Sequence, residues 1–273
     1  MSRPQIEFIQ SQALPWRADD RFGLGAGVEI KVLSEDAGTG AASLLVRYPA
    51  GWSFQAGARG ADEELLVLEG ALTAGALRFG HLHYARWPAG YDAGARASEG
   101  GAVVLTFLSG DSGRPAPASF DPAGLVAHVD AFAAPYTGNF HPEFPPGAGR
   151  KVLYTDPRTQ ETSWILGTLP LRWAERSEVH DFVEEMYLLS GESHGDRGVM
   201  RPGAYFWRPG HIPHGPYGTM TGNLYFFRTQ GGPLVTRYVE PQTPFHWWPR
   251  YRPALPDELQ AGAVEAAEGA RAW

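Results

Sequence analysis

The stretch Glu178-Val179-His180-Asp181-Phe182-Val183-Glu184, followed by Gly191 and then by Pro209-Gly210-His211-Ile212-Pro213-His214, decides how this chain is read. Glu178 and His180 are two apart, and on a strand residues i and i+2 point to the same face. Glu184 keeps that parity, so all three side chains can look into one barrel, with Phe182 and Met186 as an apolar wall around them. His214 arrives from a later turn and strand, after the rigid Pro209-Gly210 corner. Neutral imidazole and carboxylate suit one divalent ion per chain, Fe(II), Mn(II), Zn(II) or Ni(II), with Cu(II) less suited to two carboxylates. Two histidines and a carboxylate with open positions also make the facial triad of non-heme iron oxygenases. The competing reading is a buried, hydrogen-bonded polar cluster without an ion. Glu178 stands as a ligand or as a neighbour of one, and His211 as a residue at the rim.

These residues lie in an internal repeat. Trp52, Glu63, Glu64, Leu68, Gly70, Tyr84, Pro88, Gly101 and Gly110 recur as Trp173, Glu184, Glu185, Leu189, Gly191, Tyr205, Pro209, Gly222 and Gly231, at one offset (52 to 173, 110 to 231). Upstream, Lys31, Asp36, Thr39 and Ser43 recur as Lys151, Asp156, Thr159 and Ser163, one residue closer, so an insertion is expected before the tryptophan. The unit is of domain size rather than of solenoid size. Three segments are expected: residues 1–130 as a first barrel without a ligand set, 131–250 as a second barrel with the metal site, and 251–273 as a tail with a short helix beginning near Asp257. Proline-rich Ala131 to Gly149 reads as the connector. By the offset, Gly57, Arg59 and Ala93 stand where Glu178, His180 and His214 are, and Glu63 alone keeps its place; it is expected to pair with Arg59 or another donor.

Within each unit the runs Ser43–Tyr48, Glu64–Leu68, Val103–Phe107 and Leu224–Phe227 are short, apolar and flanked by glycine or proline. Many such strands predict an all-β sandwich or barrel. Two immunoglobulin-like sandwiches would explain the strands but not the charged cluster. The 273 residues contain Gly 34 and Pro 23, a formal net charge of -7 and Cys 0. The negative balance argues against sequence-independent nucleic-acid binding, and the absence of cysteine excludes thiolate sites and disulfides. No stretch reads as a signal peptide or a membrane span, so a cytoplasmic chain with no membrane partner is expected. No nucleotide-binding or nucleophile-elbow motif is present. His81-Leu82-His83 reads as ordinary strand-end histidines, His194 as a loop residue, and His246-Trp247-Trp248 as aromatic packing.

The ligand spacing resembles the paired motifs of the cupin superfamily. His180, Glu184 and Gly191 match the second His, the Glu and the Gly of the first motif, while Glu178 stands where the first His is usual. Pro209 and His214 match the second motif, with His211 at its Gly position. The resemblance extends to both units and is similar to tandem cupins (bicupins) of the ChrR-like group. It implies two tandem antiparallel jelly-roll barrels with a metal held by Glu178, His180, Glu184 and His214. It also implies a dioxygenase-like or isomerase activity on a small oxygenated substrate, or else a non-catalytic small-molecule or metal sensor; whether the protein is an enzyme is left open. The partner expected is a small-molecule ligand, and a homodimer is admitted.

Overall fold

The computed structural model describes residues 3–137, 146–240, 243–267 and 269–273. The chain is all-β and antiparallel, and it divides into two compact units. Among the described residues, the first comprises Arg3 and Pro15–Ala134, and the second comprises Pro4–Leu14 and the residues from Pro135 onward.

In the first unit the sheet runs, in spatial order, Val126–Asp130, His83–Trp87, Glu63–Gly70, Ala102–Leu108, Ala42–Tyr48, Glu29–Glu35 and Arg17–Ala18. A second sheet is built from Trp52–Phe54, Arg96–Ser98, Leu72–Ala74 and Leu77–Phe79. Strand alternation sends Ala42, Leu44, Val46 and Tyr48 with Leu65, Val67, Ala102 and Val104 into one core, as the period of two requires. The second unit repeats the order with Ile6–Gln10, Ala204–Arg208, Val183–Gly191, Asn223–Gln230, Thr162–Thr168 and Ala148–Thr155. Its smaller sheet is Arg172–Trp173, Gly218–Thr219, Ser193–Gly195 and Gly198–Met200, and Glu178–His180 pairs with Thr236–Tyr238. This is the jelly-roll arrangement expected from the motifs.

Several repeated residues find their reason here. Gly70 and Gly191 have φ of +70° and +75°, and a Cβ on either would lie 2.1 Å from Gly101 O or 2.0 Å from Gly222 O. Only glycine fits so close a backbone approach. Tyr84 donates to Glu64 and Tyr205 to Glu185 in the same position of each sheet. Asp36 accepts from the backbone N–H of Gly38 and Thr39, and Asp156 from those of Arg158 and Thr159, closing the same hairpin turn.

Three expectations are corrected. The N-terminal segment does not belong wholly to the first barrel. Strand Ile6–Gln10 pairs with Ala204–Arg208 in the second unit, at the sheet edge that Val126–Asp130 covers in the first. An open edge needs backbone partners, and Phe8 enters the second core. Trp52 and Trp173 are not equivalent. Trp52 pairs with Ser98, whereas Arg172, not Trp173, faces Thr219, so the insertion falls after the tryptophan. Trp52 is buried, its indole donating to Ala26 O, and Trp173 is half-exposed against Trp247. The tail carries the short helix expected near Asp257, a 3₁₀ helix over Asp257–Gly262, and Ala254 bridges to Glu7 and Ala272 O accepts from Ser11 and Tyr187 within the second unit. His194 lies buried in strand Ser193–Gly195 against Trp247, not in a loop. Of the expected connector, residues 138–145 lie outside the described residues. Among the described residues, no helix is long and apolar enough to cross a membrane.

Candidate metal centre

Two strands separated by a short break carry the motif. Glu178 and His180 lie on Glu178–His180, opposite Tyr238 and Thr236. Glu184 starts the inward row that continues as Met186 and Leu188 on Val183–Gly191. The break at Asp181 and Phe182 ends the alternation assumed from sequence. Phe182 therefore leaves the barrel interior: it is 38% exposed and lies over Gly231 and Gly232. Met186 stays inside, fully buried. His214 is brought to Glu178 by a reciprocal backbone pair, Glu178 N to His214 O at 2.9 Å and His214 N to Glu178 O at 3.0 Å. The corner before it is tight, since a Cβ on Gly210 would meet Asp181 O at 2.2 Å. It leaves His211 with a side chain 72% exposed, near Asp181 at 3.7 Å and turned to solvent. His211 and Phe182 are thus not among the residues around the centre.

His180 and His214 are both buried, with ring centroids 5.0 Å apart. The Nδ1 of His180 faces Val235 O at 3.1 Å and that of His214 faces Ile212 O at 2.9 Å. A carbonyl only accepts, so each Nδ1 carries the proton and each Nε2 presents its lone pair. Both Nε2 atoms are buried without a hydrogen-bond partner. Two unsatisfied lone pairs facing carboxylates are costly unless a cation joins them. Glu178 Oε1 is 3.7 Å from His214 Nε2, and ligand atoms of Glu178, His180 and His214 all lie within 4.8 Å of one another. Protonated histidine does not supply the missing charge at His214. Burial, with Arg208 and His180 nearby, holds its pKa well below the usual imidazole range. Burial raises the Glu178 carboxyl above its ordinary value, with Glu184 adding to the rise and His180, Arg208 and Arg172 opposing it. The donor set therefore fits a divalent ion, with His180, His214 and Glu178 as its holders.

Glu184 is brought close but differently engaged. Its oxygens lie 3.7 Å from each imidazole Nε2, yet Oε2 accepts from Arg208 Nη1 at 2.5 Å. Arg208 is completely buried and also grips Glu7 through two bonds of 2.6 Å and donates to Tyr217 OH at 2.8 Å. Neither Arg208 nor Glu7 figures in the sequence reading; an arginine between Trp207 and Pro209 at an inward strand position was the available signal. In the first unit, Glu63 is held instead by Arg96 through two bonds of 2.7 Å and by Arg59 at 2.9 Å. Each barrel thus neutralises its inward glutamate with arginine, from different strands. Among the described residues, Glu178, His180 and His214 form the one group of three or more side chains able to hold a metal.

The site opens into a cavity of about 90 Å³. Trp164, Leu166, Met186, Met200, Phe206 and Phe227 make its apolar side; Arg172, Arg176, Tyr225 and Tyr238 lie on the polar side with Glu178 and His180. Burial pushes the Tyr225 hydroxyl up to about 12, so it stays protonated and can donate.

Each unit has the cupin-type jelly-roll fold, the second with an inward cluster of histidine and carboxylate. Residues 25–234 match the family described as a domain of unknown function, DUF4437, and the chain belongs to that family. No protein of curated function matches the sequence. Among solved structures, a candidate dioxygenase of Nostoc punctiforme PCC 73102 is similar at 21% identity and TM-score 0.77, over 87% of this chain and 88% of that one. Bacillus subtilis oxalate decarboxylase is similar at 12% identity and TM-score 0.57, over 85% and 78%. The E. coli protein Ylba, of DUF861, is similar at 15% identity and TM-score 0.59, over 84% and 93%. At these identities the likeness concerns the fold.

Proposed function

We propose that the second unit is a metal-dependent, dioxygenase-like centre acting on a small oxygenated molecule, in a tandem cupin similar to the ChrR-like group whose first barrel has lost its ligands. The observation that carries this reading is the pair of buried, unpartnered Nε2 atoms of His180 and His214 beside Glu178. A bound divalent ion would supply Lewis acidity or redox reactivity toward an oxygen substrate. The chain's own residues do the rest. His180, His214 and Glu178 hold the ion, their Nδ1–H bonds to Val235 and Ile212 fixing both rings. Arg208 fixes Glu184, so that this carboxylate is not free to close the shell as an unshared fourth ligand. That favours a centre with open positions over a closed structural one. Met186, Phe206 and Phe227 exclude water, and Tyr225 OH donates to a bound ligand. Likeness in fold to a candidate dioxygenase supports an oxygen-dependent reaction over isomerisation.

The test is metal content followed by turnover. Purified protein should retain about one divalent ion per chain. His180→Ala and His214→Ala should abolish binding, and Arg59→Ala should leave it intact. Fe(II)- or Mn(II)-loaded protein should then consume oxygen with a diketone, hydroxy acid or enol. A saturated ion with no turnover would put the non-catalytic, ChrR-like sensing role ahead.

A further inference from the structure

The two barrels hold their inward glutamates with arginine in opposite ways. In the first unit Arg96 sets its fork on Glu63, Nη1 on Oε1 and Nη2 on Oε2, both at 2.7 Å. Both carboxylate oxygens are taken, and Arg59 adds a second guanidinium at 2.9 Å. In the second unit Arg208 faces Glu184 across the sheet, at the place that Trp87 has opposite Glu63. It gives Glu184 a single bond, from Nη1 to Oε2. Its fork, Nε and Nη2, is set on Glu7 instead, with both bonds at 2.6 Å. A bidentate pair is stronger and more directional than a single bond. Oε1 of Glu184 accepts no hydrogen bond among the described residues; it lies 3.7 Å from His180 Nε2, and Glu184 lines the cavity.

Glu7 comes from strand Ile6–Gln10, far from the ligand motif in sequence. Ile6 pairs with Trp207 and Ile9 with Tyr205, as Val126 pairs with Arg86 and Val129 with Tyr84 in the first unit. Where the second unit has Glu7, the first therefore has Ala127, without a carboxylate. The Glu7 backbone is fixed from its other side by a reciprocal pair with Ala254, at 2.8 and 2.6 Å. Glu7 is 4% exposed and Arg208 1%, so solvent does not screen them, and one guanidinium is shared between two carboxylates. The trio Glu7, Arg208 and Glu184 carries one net negative charge. The barrel without the ligand set spends its arginine fork on the inward glutamate; the barrel with it diverts that fork to a second carboxylate.

We propose that Glu7 is a positioning residue of the metal centre. By taking the fork of Arg208 it leaves Glu184 one uncommitted oxygen and leaves one negative charge beside the ion, which favours a dication. Without the Glu7 carboxylate, the guanidinium turns its fork on Glu184, as Arg96 does on Glu63, and the second barrel takes on the arrangement of the first.

This role rests on the metal-centre reading, and the experiment separates the two. The full chain, freed of metal with EDTA, is titrated with Zn(II) against a chromophoric chelator as wild type, Glu7→Gln and the double variant Glu7→Gln/Arg208→Gln. Wild type should bind about one zinc per chain. Glu7→Gln should bind it at least about tenfold more weakly. The double variant also lacks the guanidinium that would capture Glu184, so it should bind zinc at least as tightly as wild type. A strand that only docks against the sheet edge predicts no such recovery. Glu7→Gln leaves a buried guanidinium short of its partner; should that variant fail to fold, the double variant decides, because it removes both charges of the bidentate pair. Equal affinity of Glu7→Gln and wild type, or a double variant that binds zinc more weakly than wild type, would overturn the role of Glu7 while leaving the metal centre standing. Wild type that takes up no zinc would overturn both.

Discussion

At the scale of single residues, the decisive contrast is between the two inward glutamates. Glu63 is caught between Arg59 and Arg96. Burial alone would raise its carboxyl, but the two guanidiniums outweigh that and hold it near 2, against an ordinary 4.5. A depressed folded-state pKa contributes stability that is complete above the unfolded value and lost as pH falls through the folded one. The first unit should therefore hold its stability above about pH 4.5 and lose on the order of 3 kcal/mol as pH falls toward 2. Urea unfolding of wild type and Glu63→Gln checks this: the gap between them should be wide at pH 6 and close near pH 2, and a gap independent of pH would refute it. In the second unit, Arg208→Met strands Glu7 and Glu184 as buried charges. Losing one partner of such a network costs about 3–5 kcal/mol, so the second unit's unfolding midpoint should fall steeply in denaturant titrations, with Glu7→Gln less severe. An unchanged midpoint would mean that the cluster is less buried than its fractional exposure of about 1% at Arg208 indicates.

At the scale of elements, the glycines of the hairpin ends offer a controlled comparison. Gly51 and Gly191 share a φ of +75°, yet a Cβ at Gly51 meets nothing within 4 Å, whereas at Gly191 it collides with backbone at 2.0 Å. Gly51→Ala should cost only the conformational term, about 1 kcal/mol. Gly191→Ala should cost about 2 kcal/mol more, because Gly222 O must shift as well. Thermal or urea unfolding decides, and equal losses would show that the strand ends relax freely. The repeated glycines were legible in sequence; why they repeat was not, because the contact partner lies on another strand. The alternation placing Glu184 with Met186 and Leu188 was legible too, and failed at Phe182 only because the chain breaks strand pairing there.

At the scale of the whole molecule, one unit carries the candidate ligands and the other does not. A ligand that binds only the folded state raises stability by mass action. Zn(II) at about a hundredfold over its dissociation constant should stabilise the second unit by about 2.7 kcal/mol and leave the transition of the first where it was. Differential scanning calorimetry with and without EDTA checks this, and a shift of the first transition would contradict the assignment of the metal site to the second unit alone.

Residue order by itself determined the repeated strand plan, the all-β character and the identity of the imidazoles and carboxylates available to one centre, while the antiparallel jelly roll was what the cupin resemblance implied. The former follow from local periods and from side-chain chemistry, which a linear sequence carries in full. Only tertiary structure decided that Arg208 would take one oxygen of Glu184, that Glu7 would cross 201 positions of chain to meet Arg208, and that Arg172 rather than Trp173 would stand at the ladder position of Trp52. These depend on which strand covers which sheet edge and in what register. Such pairings are fixed by the burial of apolar faces and the need to satisfy every backbone group at once, a condition on the folded whole and not on any segment read alone.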